Sequence, residues 1–358
     1  MKKIVFIHLL NDFSGSPKVL SQVMDVAKLS GIETHLYTCS GEVGFLDRVE
    51  AKRFSFPYKH FSNRFLTLFS YLSSQLVLFL KLLSYRKEPD TVLYINTMLP
   101  FGAGLAGKVM GKKVIFHIHE TSIKPRILKF FLRWIIKLTA SEVIFVSEYL
   151  RQTEAFDGVE STVVYNGIAV RKSISEQKKQ EGFFNVLMIC SLRTYKGVNE
   201  FVSLAKEISK INPSIRFTLI LGASETEVNL FFHDEVLPTN LLMLPKQSDV
   251  TKYYLESDLL VSFSRPDLWV ETFGLTIVEG MSYGLPVIVP PIGGPSEIIK
   301  NGEHGYLIDS RDLDELIFRV CYLMEHQSEY NRLSINAFNR AKEFSLELFS
   351  QKIKGLLV

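Results

Sequence analysis

The strongest constraint in this sequence is an alternation that runs through it twice: short apolar runs, each followed by a segment with helical period. In the first half the runs are Ile4–His8, His35–Thr38, Val92–Ile95, Val114–His117, Val143–Val146 and Thr162–Tyr165. Helical-period segments lie between them near 17–29, 65–85, 100–110, 126–139 and 148–155. Continuous apolar strands with helical spacers predict parallel strands covered on both faces. The pattern then restarts. Val186–Cys190, Phe217–Leu221, Leu241–Leu244, Leu259–Phe263 and Val287–Val289 alternate with helices near 197–210, 225–233, 250–256, 275–283 and 312–327. Between the two series Arg171–Glu181 (RKSISEQKKQE) is polar and without apolar period, which reads as a linker. The predicted fold class is α/β, with two doubly wound parallel-sheet domains at 1–170 and 182–340. A closing helix at 341–358 could cross back to the first domain. The length of 358 residues suits two domains. Two such domains facing each other would place a ligand cleft outside the carboxyl ends of both sheets.

Composition excludes several classes. A net charge of +3 is too small for a protein that wraps nucleic acid. Cys39, Cys190 and Cys321 show no CxxC spacing, so neither a disulfide framework nor a zinc site is indicated. Met1-Lys2-Lys3 followed by Ile4–Leu10 has the start of a signal peptide, but Asn11 and Asp12 end the apolar run early. A buried first strand and the reducing cytoplasm are therefore expected. Phe65–Leu83 approaches the length of a membrane span, but Ser70, Ser73, Ser74, Gln75 and Lys81 interrupt it. It reads as a buried or interfacial helix. Ile127–Leu138 sets Lys129, Arg133 and Lys137 on one face and Phe130, Phe131 and Trp134 on others. That pattern suits either a helix lying on an anionic membrane surface or an ordinary helix with a solvated basic edge.

The segment from Asp258 to Leu307 carries the most chemistry. Leu259–Phe263 reads as a strand, Ser264–Thr272 as a polar loop, and Phe273–Tyr283 as a helix that stops at Gly284 before Pro286. Glu271 then precedes a helix N-terminus and Glu279 lies about two turns inside it. The N–H groups of Gly274, Leu275 and Thr276 would fill the first turn, where unpaired donors and the helix dipole favour a phosphate. Carboxylates on either side of a diphosphate are suited to accept hydrogen bonds from sugar and ribose hydroxyls. ETFGLTIVE followed by GMSYGLPVIVPPIGGPSEIIKNGEHGYLI resembles the signature of the retaining family-4 glycosyltransferases, with its E-x7-E spacing. The resemblance implies two facing Rossmann-like domains (the GT-B fold), Glu279 on the nucleotide ribose and Glu271 on the donor sugar.

Further segments extend the resemblance. Cys190–Gly197 (CSLRTYKG) is similar to the family's G-R-L-x-x-x-K-G element, whose cations neutralise the donor diphosphate. Lys196 matches its lysine, while Ser191 stands where the arginine usually is and Arg193 is the nearby substitute. Phe13–Pro17 follows the first strand, with Pro17 suited to the first helical position. No G-x-G-x-x-G is present, and the resemblance points instead to Gly15 and Ser16 as backbone contacts of the diphosphate. His117-Ile118-His119-Glu120 ends a strand whose alternation puts both histidines on one side. The resemblance places His119 near the donor sugar. No third ligand of matching spacing accompanies the pair, so no metal and no cofactor is expected.

These residues together imply hexosyl transfer, with retention, from a nucleotide diphosphate sugar to a carbohydrate or lipid-linked oligosaccharide acceptor in bacterial surface polysaccharide synthesis. The implied setting is the cytoplasm, peripheral on the membrane. An epimerase acting on a nucleotide sugar, or a non-enzymatic sugar-binding protein on the same fold, are the alternatives. The former would need no acceptor and the latter no carboxylates at 271 and 279. Ser264–Val270 (SRPDLWV) and the first-domain loops are expected to set substrate choice.

Overall fold

A computed structural model of the protein describes residues 2–41, 43–174 and 182–358. The chain forms two compact units, Met1–Gly167 with Glu347–Val358, and Ile168–Leu346. Of the expected linker, residues 175–181 lie outside the described residues.

The first unit is built on seven parallel strands: β1 (Lys3–Ile7), β2 (Glu33–Cys39), β3 (Lys52–Phe56), β4 (Thr91–Asn96), β5 (Lys113–Ile118), β6 (Glu142–Phe145) and β7 (Glu160–Val163). Their order is β3-β2-β1-β4-β5-β6-β7. The helices α1 (Gly15–Leu29), α2 (Arg64–Leu82), α3 (Phe101–Met110), α4 (Arg126–Thr139) and α5 (Glu148–Glu154) connect them. β4 is buried at all of its positions, as a central strand covered on both faces must be. β3 was not expected from sequence. It is an edge strand, KRFSF, whose Lys52, Arg53 and Ser55 are exposed and which pairs only with β2.

The second unit repeats the plan with β8 (Phe184–Cys190), β9 (Ile215–Leu221), β10 (Leu241–Leu244), β11 (Leu259–Val261), β12 (Val287–Val289) and β13 (Gly305–Leu307), in the order β10-β9-β8-β11-β12-β13. Its helices are α6 (Val198–Ile211), α7 (Glu225–Phe231), α8 (Thr251–Glu256), α9 (Leu275–Ser282), α10 (Pro295–Ile298), α11 (Leu313–Glu325) and α12 (Gln327–Ala341). Phe201, Phe217 and Phe263 pack together at the centre of its core. A last helix, α13 (Leu346–Leu357), belongs to the first unit from Glu347 on, where Lys2 donates to the Leu357 carbonyl. In both sheets the strand order reverses beside the first strand, between β1 and β4 and between β8 and β11. Loops diverge there, leaving a crevice at the carboxyl ends that suits a ligand.

Three local expectations need correction. The helix bearing Glu279 begins at Leu275 rather than Phe273, because Gly274 takes a left-handed φ of 105° and acts as the cap residue. Helix α1 begins at Gly15, so Pro17 is its third residue and not its first. The basic stripe of α4 is not a free cationic face. Lys129 and Arg133 turn onto the buried carboxylate of Glu154 at the end of α5, and Lys137 lies 3.7 Å from Asp157. A carboxylate with 1% exposure cannot stay charged without such partners.

Candidate active site

In the second unit the residues singled out by sequence gather at the β8–β11 crossover. β8 runs into a short turn, Thr194–Lys196, and Gly197 then takes a φ of 77° before α6. A Cβ on Gly197 would lie 2.1 Å from the carbonyl oxygen of Phe263, so this turn can sit against the end of β11 only with glycine. The same holds on the other side. A Cβ on Gly293, in the loop after β12, would lie 2.4 Å from the Glu271 carbonyl, and Gly294 N–H donates to that carbonyl at 2.9 Å.

These approaches bring Lys196 Nζ into an ion pair with Glu271 Oε2, which Ser264 Oγ also reaches at 3.3 Å. Burial works against the charge on Lys196, but the Glu271 carboxylate beside it raises its pKa overall. The loop that carries Glu271 is held by further contacts that sequence reasoning did not find. Arg265 N–H donates to Tyr195 O at 2.9 Å, and the Trp269 ring stacks on Tyr195 at 5.1 Å. Lys196 Nζ stands 6.0 Å from the Trp269 ring centre, within cation–π range. Arg193 does not join this group. Its side chain is exposed, and its charge acts on Glu227 of α7. The guanidinium on the site loop is that of Arg265, paired with Asp267 at 2.8 Å and with Glu200 at 3.4 Å.

Among the described residues no side chain caps the N-terminus of α9, which leaves the first-turn amides of Leu275 and Thr276 without a side-chain cap. Glu279 lies in the second turn of α9, half-buried, and accepts from Tyr254 Oη at 3.1 Å. Tyr254 is itself buried and stacked on Tyr283 at 4.9 Å, so the carboxylate is held by a stiff aromatic partner. An Asp-x-Asp pair exists in this unit, Asp312 and Asp314, but Asp312 accepts from the Glu315 amide as the cap of α11.

In the first unit a buried polar cluster sits at the β1–β4 crossover, and Asn96 is its hub. Asn96 Nδ2 donates to the Ser16 carbonyl at 3.1 Å, tying the Gly15–Ser16 turn of α1 to β4. Asn96 Oδ1 can only accept, so His119 donates to it through Nε2–H at 2.9 Å, which fixes the tautomer of that ring. His8 Nδ1 lies 3.2 Å from Asn96 Nδ2. His117 and His119 are in ring contact at 4.3 Å, as their alternation predicts, and His117 Nδ1 is hydrogen-bonded with Tyr94 Oη at 2.8 Å. Glu120 takes amide hydrogen bonds from Met98 at 2.6 Å and His119 at 3.1 Å. Beside it Thr97 has a φ of 73°, a backbone strain that non-glycine residues tolerate where surrounding structure enforces it. Among the described residues, no group of three His, Cys, Asp or Glu side chains could hold a metal.

Burial pushes the pKa of His8 down to about 4 and that of His117 to about 3, and lowers that of His119 as well. Burial raises Glu120 to about 7. Below about pH 6.5 the unfolded chain takes up histidine protons that the folded state refuses, so these three groups lose stability as pH falls. Glu120 opposes this between its unfolded and folded values, because the folded state holds its proton more tightly, and offsets one histidine. Each uncompensated histidine costs about 1.4 kcal/mol per pH unit. Thermal unfolding should therefore show a steep fall in Tm between about pH 6.5 and about pH 5. A flat profile would contradict a buried neutral cluster.

The sequence matches the Glycosyltransferase Family 4 model over residues 16–172 and the Glycosyl transferases group 1 model over 170–340. It is 25% identical to the N-acetyl-alpha-D-glucosaminyl L-malate synthase of Bacillus anthracis over 75% of this chain and 73% of that enzyme. It is 34% identical to the sucrose synthase of Melioribacter roseus, over 32% of this chain but only 15% of that enzyme's length. Anabaena Alr3699/HepE, solved in complex with UDP and glucose, superposes with a TM-score of 0.78 at 20% identity, covering 100% of this chain and 99% of that one. Its fold is thus that of the two-Rossmann-domain glycosyltransferases. The two models adjoin at the boundary between the two units and together span nearly the whole sequence, and the chain is a glycosyltransferase of the group 1, family 4 type.

Proposed function

We propose that the protein transfers a hexosyl unit, with retention, from a nucleoside diphosphate sugar to a carbohydrate or lipid-linked oligosaccharide acceptor. Surface polysaccharide synthesis is the process that fits such an acceptor, and the cytoplasm, where Cys39, Cys190 and Cys321 stay as thiols, is the proposed compartment. One observation carries the reading: the Lys196–Glu271 pair at the β8–β11 crossover. The open N-terminus of α9 follows it three residues on. A diphosphate bound at those amides would draw Lys196 from its carboxylate. Fixed positive potential would then stand where negative charge develops on the leaving group. Glu271, so released, is suited to accept from donor-sugar hydroxyls, and Glu279 from the ribose. By the family resemblance His119, its tautomer set by Asn96, orients the donor sugar, and Gly15 and Ser16 offer backbone to the diphosphate. No side chain is assigned as a covalent nucleophile. Anabaena Alr3699/HepE, whose fold this chain shares, has been solved with UDP, which supports a nucleotide donor here.

Glu279→Ala should weaken binding of a free nucleoside diphosphate by roughly 1–3 kcal/mol in calorimetry. Glu271→Ala should leave that affinity unchanged or higher, since it frees Lys196, while turnover of the sugar donor falls. Two variants that behaved alike would refute the division of roles.

The same geometry supports a metal-independent reaction. Lys196 and the α9 amides supply the positive potential at the diphosphate that a divalent cation supplies in metal-dependent transferases. Turnover should survive EDTA. Loss on chelation with recovery on adding manganese or magnesium would contradict the mechanism, and donor conversion without any acceptor would favour the epimerase reading.

A further inference from the structure

Helix α2 is apolar on both faces, with Tyr71, Leu78 and Leu82 buried on the inner one. Its inner face buries Ser74 and Gln75, at 0% and 1% exposure, while Phe65 and Phe69 stand 84% and 72% exposed on the outer face, with Leu76 beyond them. The inner polar groups are satisfied within the unit. Gln75 Oε1 accepts from the Gly102 amide at 3.1 Å, and Tyr71 Oη donates to the Leu99 carbonyl at 2.5 Å. Helix α4 does the same on a second ridge. Its cations fold onto Glu154, and Ile127, Phe130 and Trp134 are left 77%, 74% and 55% exposed. These positions, at i, i+3 and i+7, form one stripe. Helix α3 packs between the two, with the Phe101 ring 5.7 Å from Tyr71 of α2 and 5.1 Å from Phe131 of α4. An exposed apolar surface of this kind, on two helices that flank α3, marks an interaction site.

The charge around it selects the partner. Helices α2, α3 and α4 contain Arg64, Lys81, Lys108 and Arg126 besides the stripe cations, and not one Asp or Glu. Arg64, Lys108 and Arg126 are exposed beside the apolar ridges. We propose that the outer faces of α2 and α4 dock the first unit on an anionic phospholipid bilayer, with the phenyl and indole rings in the acyl boundary and these cations among the headgroups. A second copy would set the same cations against one another, which disfavours a symmetric dimer through this face. Residues 64–87 are long and apolar enough to cross a bilayer, but the hydrogen bonds of Tyr71 and Gln75 pin α2 to the unit. The helix therefore lies along the surface. Docking gives the proposed lipid-linked acceptor a place to be met, yet it needs no substrate and is read separately from turnover.

The test is co-sedimentation of the full chain with vesicles of phosphatidylcholine and phosphatidylglycerol. Wild type should bind, more weakly as phosphatidylglycerol is removed. Changing Phe69, Leu76 and Phe130 together to Ser should lower the affinity roughly a hundredfold, with an unchanged unfolding midpoint. In a Trp269→Phe background the emission of Trp134 should shift to the blue on adding vesicles, which tests the geometry without altering the face. Absence of binding, equal binding by wild type and triple variant, or no shift of Trp134 would each overturn the proposal. So would a lipid-free dimer of the full chain that the triple substitution abolishes.

Discussion

Two backbone approaches, possible only at glycine, set the geometry of the second unit's site. Gly197 lets the turn after β8 lie against the end of β11, and Gly293 lets the loop after β12 lie against Glu271. With any side chain at either position the facing backbone would have to shift, which would disturb the approach of Lys196 to Glu271. The ion pair, the Tyr195–Trp269 stack and the open end of α9 are consequences of that three-loop junction. The chemistry follows from the pair's dual character. In the proposed reaction the lysine, held charged by its carboxylate, exchanges that carboxylate for a phosphate.

The first unit solves a different problem at the equivalent crossover. Its sheet ends in polar groups that are nearly dry: His8, Asn96, His117 and, half-buried, His119. Asn96 makes the cluster tenable, because one amide group satisfies the Ser16 carbonyl and His119 together. Burial keeps these rings neutral, so His119 is a hydrogen-bonding group rather than a fixed charge. That suits the proposed role of orienting a neutral sugar.

Much of the fold is legible in the sequence because central parallel strands have no polar face: TVLYIN, KVIFHI and FNVLMIC announce themselves. The edge strand β3 does not, since three of its five residues face water. The short β13 and the polar helix α12 also escape, the latter because Tyr330, Leu333, Ala337 and Phe338 are diluted among polar residues. The site is legible where it is local, as with Glu271, Gly274 and Glu279. It is not legible where partners are distant. Glu154, which neutralises Lys129 and Arg133, lies more than twenty residues beyond them, so the stripe on α4 reads as a free cationic edge. Asn96 and Tyr254 carry no motif, because a buried polar residue shows its role only through its partners. Arg193 shows the converse failure: close in sequence to Lys196, its side chain is exposed and does not join the Lys196–Glu271 pair.

In the proposed mechanism Lys196 exchanges Glu271 for the donor's diphosphate at the N-terminus of α9. A crystal structure with a nucleoside diphosphate bound tests it most directly. Lys196 Nζ should lie on a phosphate oxygen, with the Leu275 and Thr276 amides on the same group and Glu271 withdrawn from the lysine. A diphosphate bound elsewhere, with the Lys196–Glu271 pair intact, would contradict it.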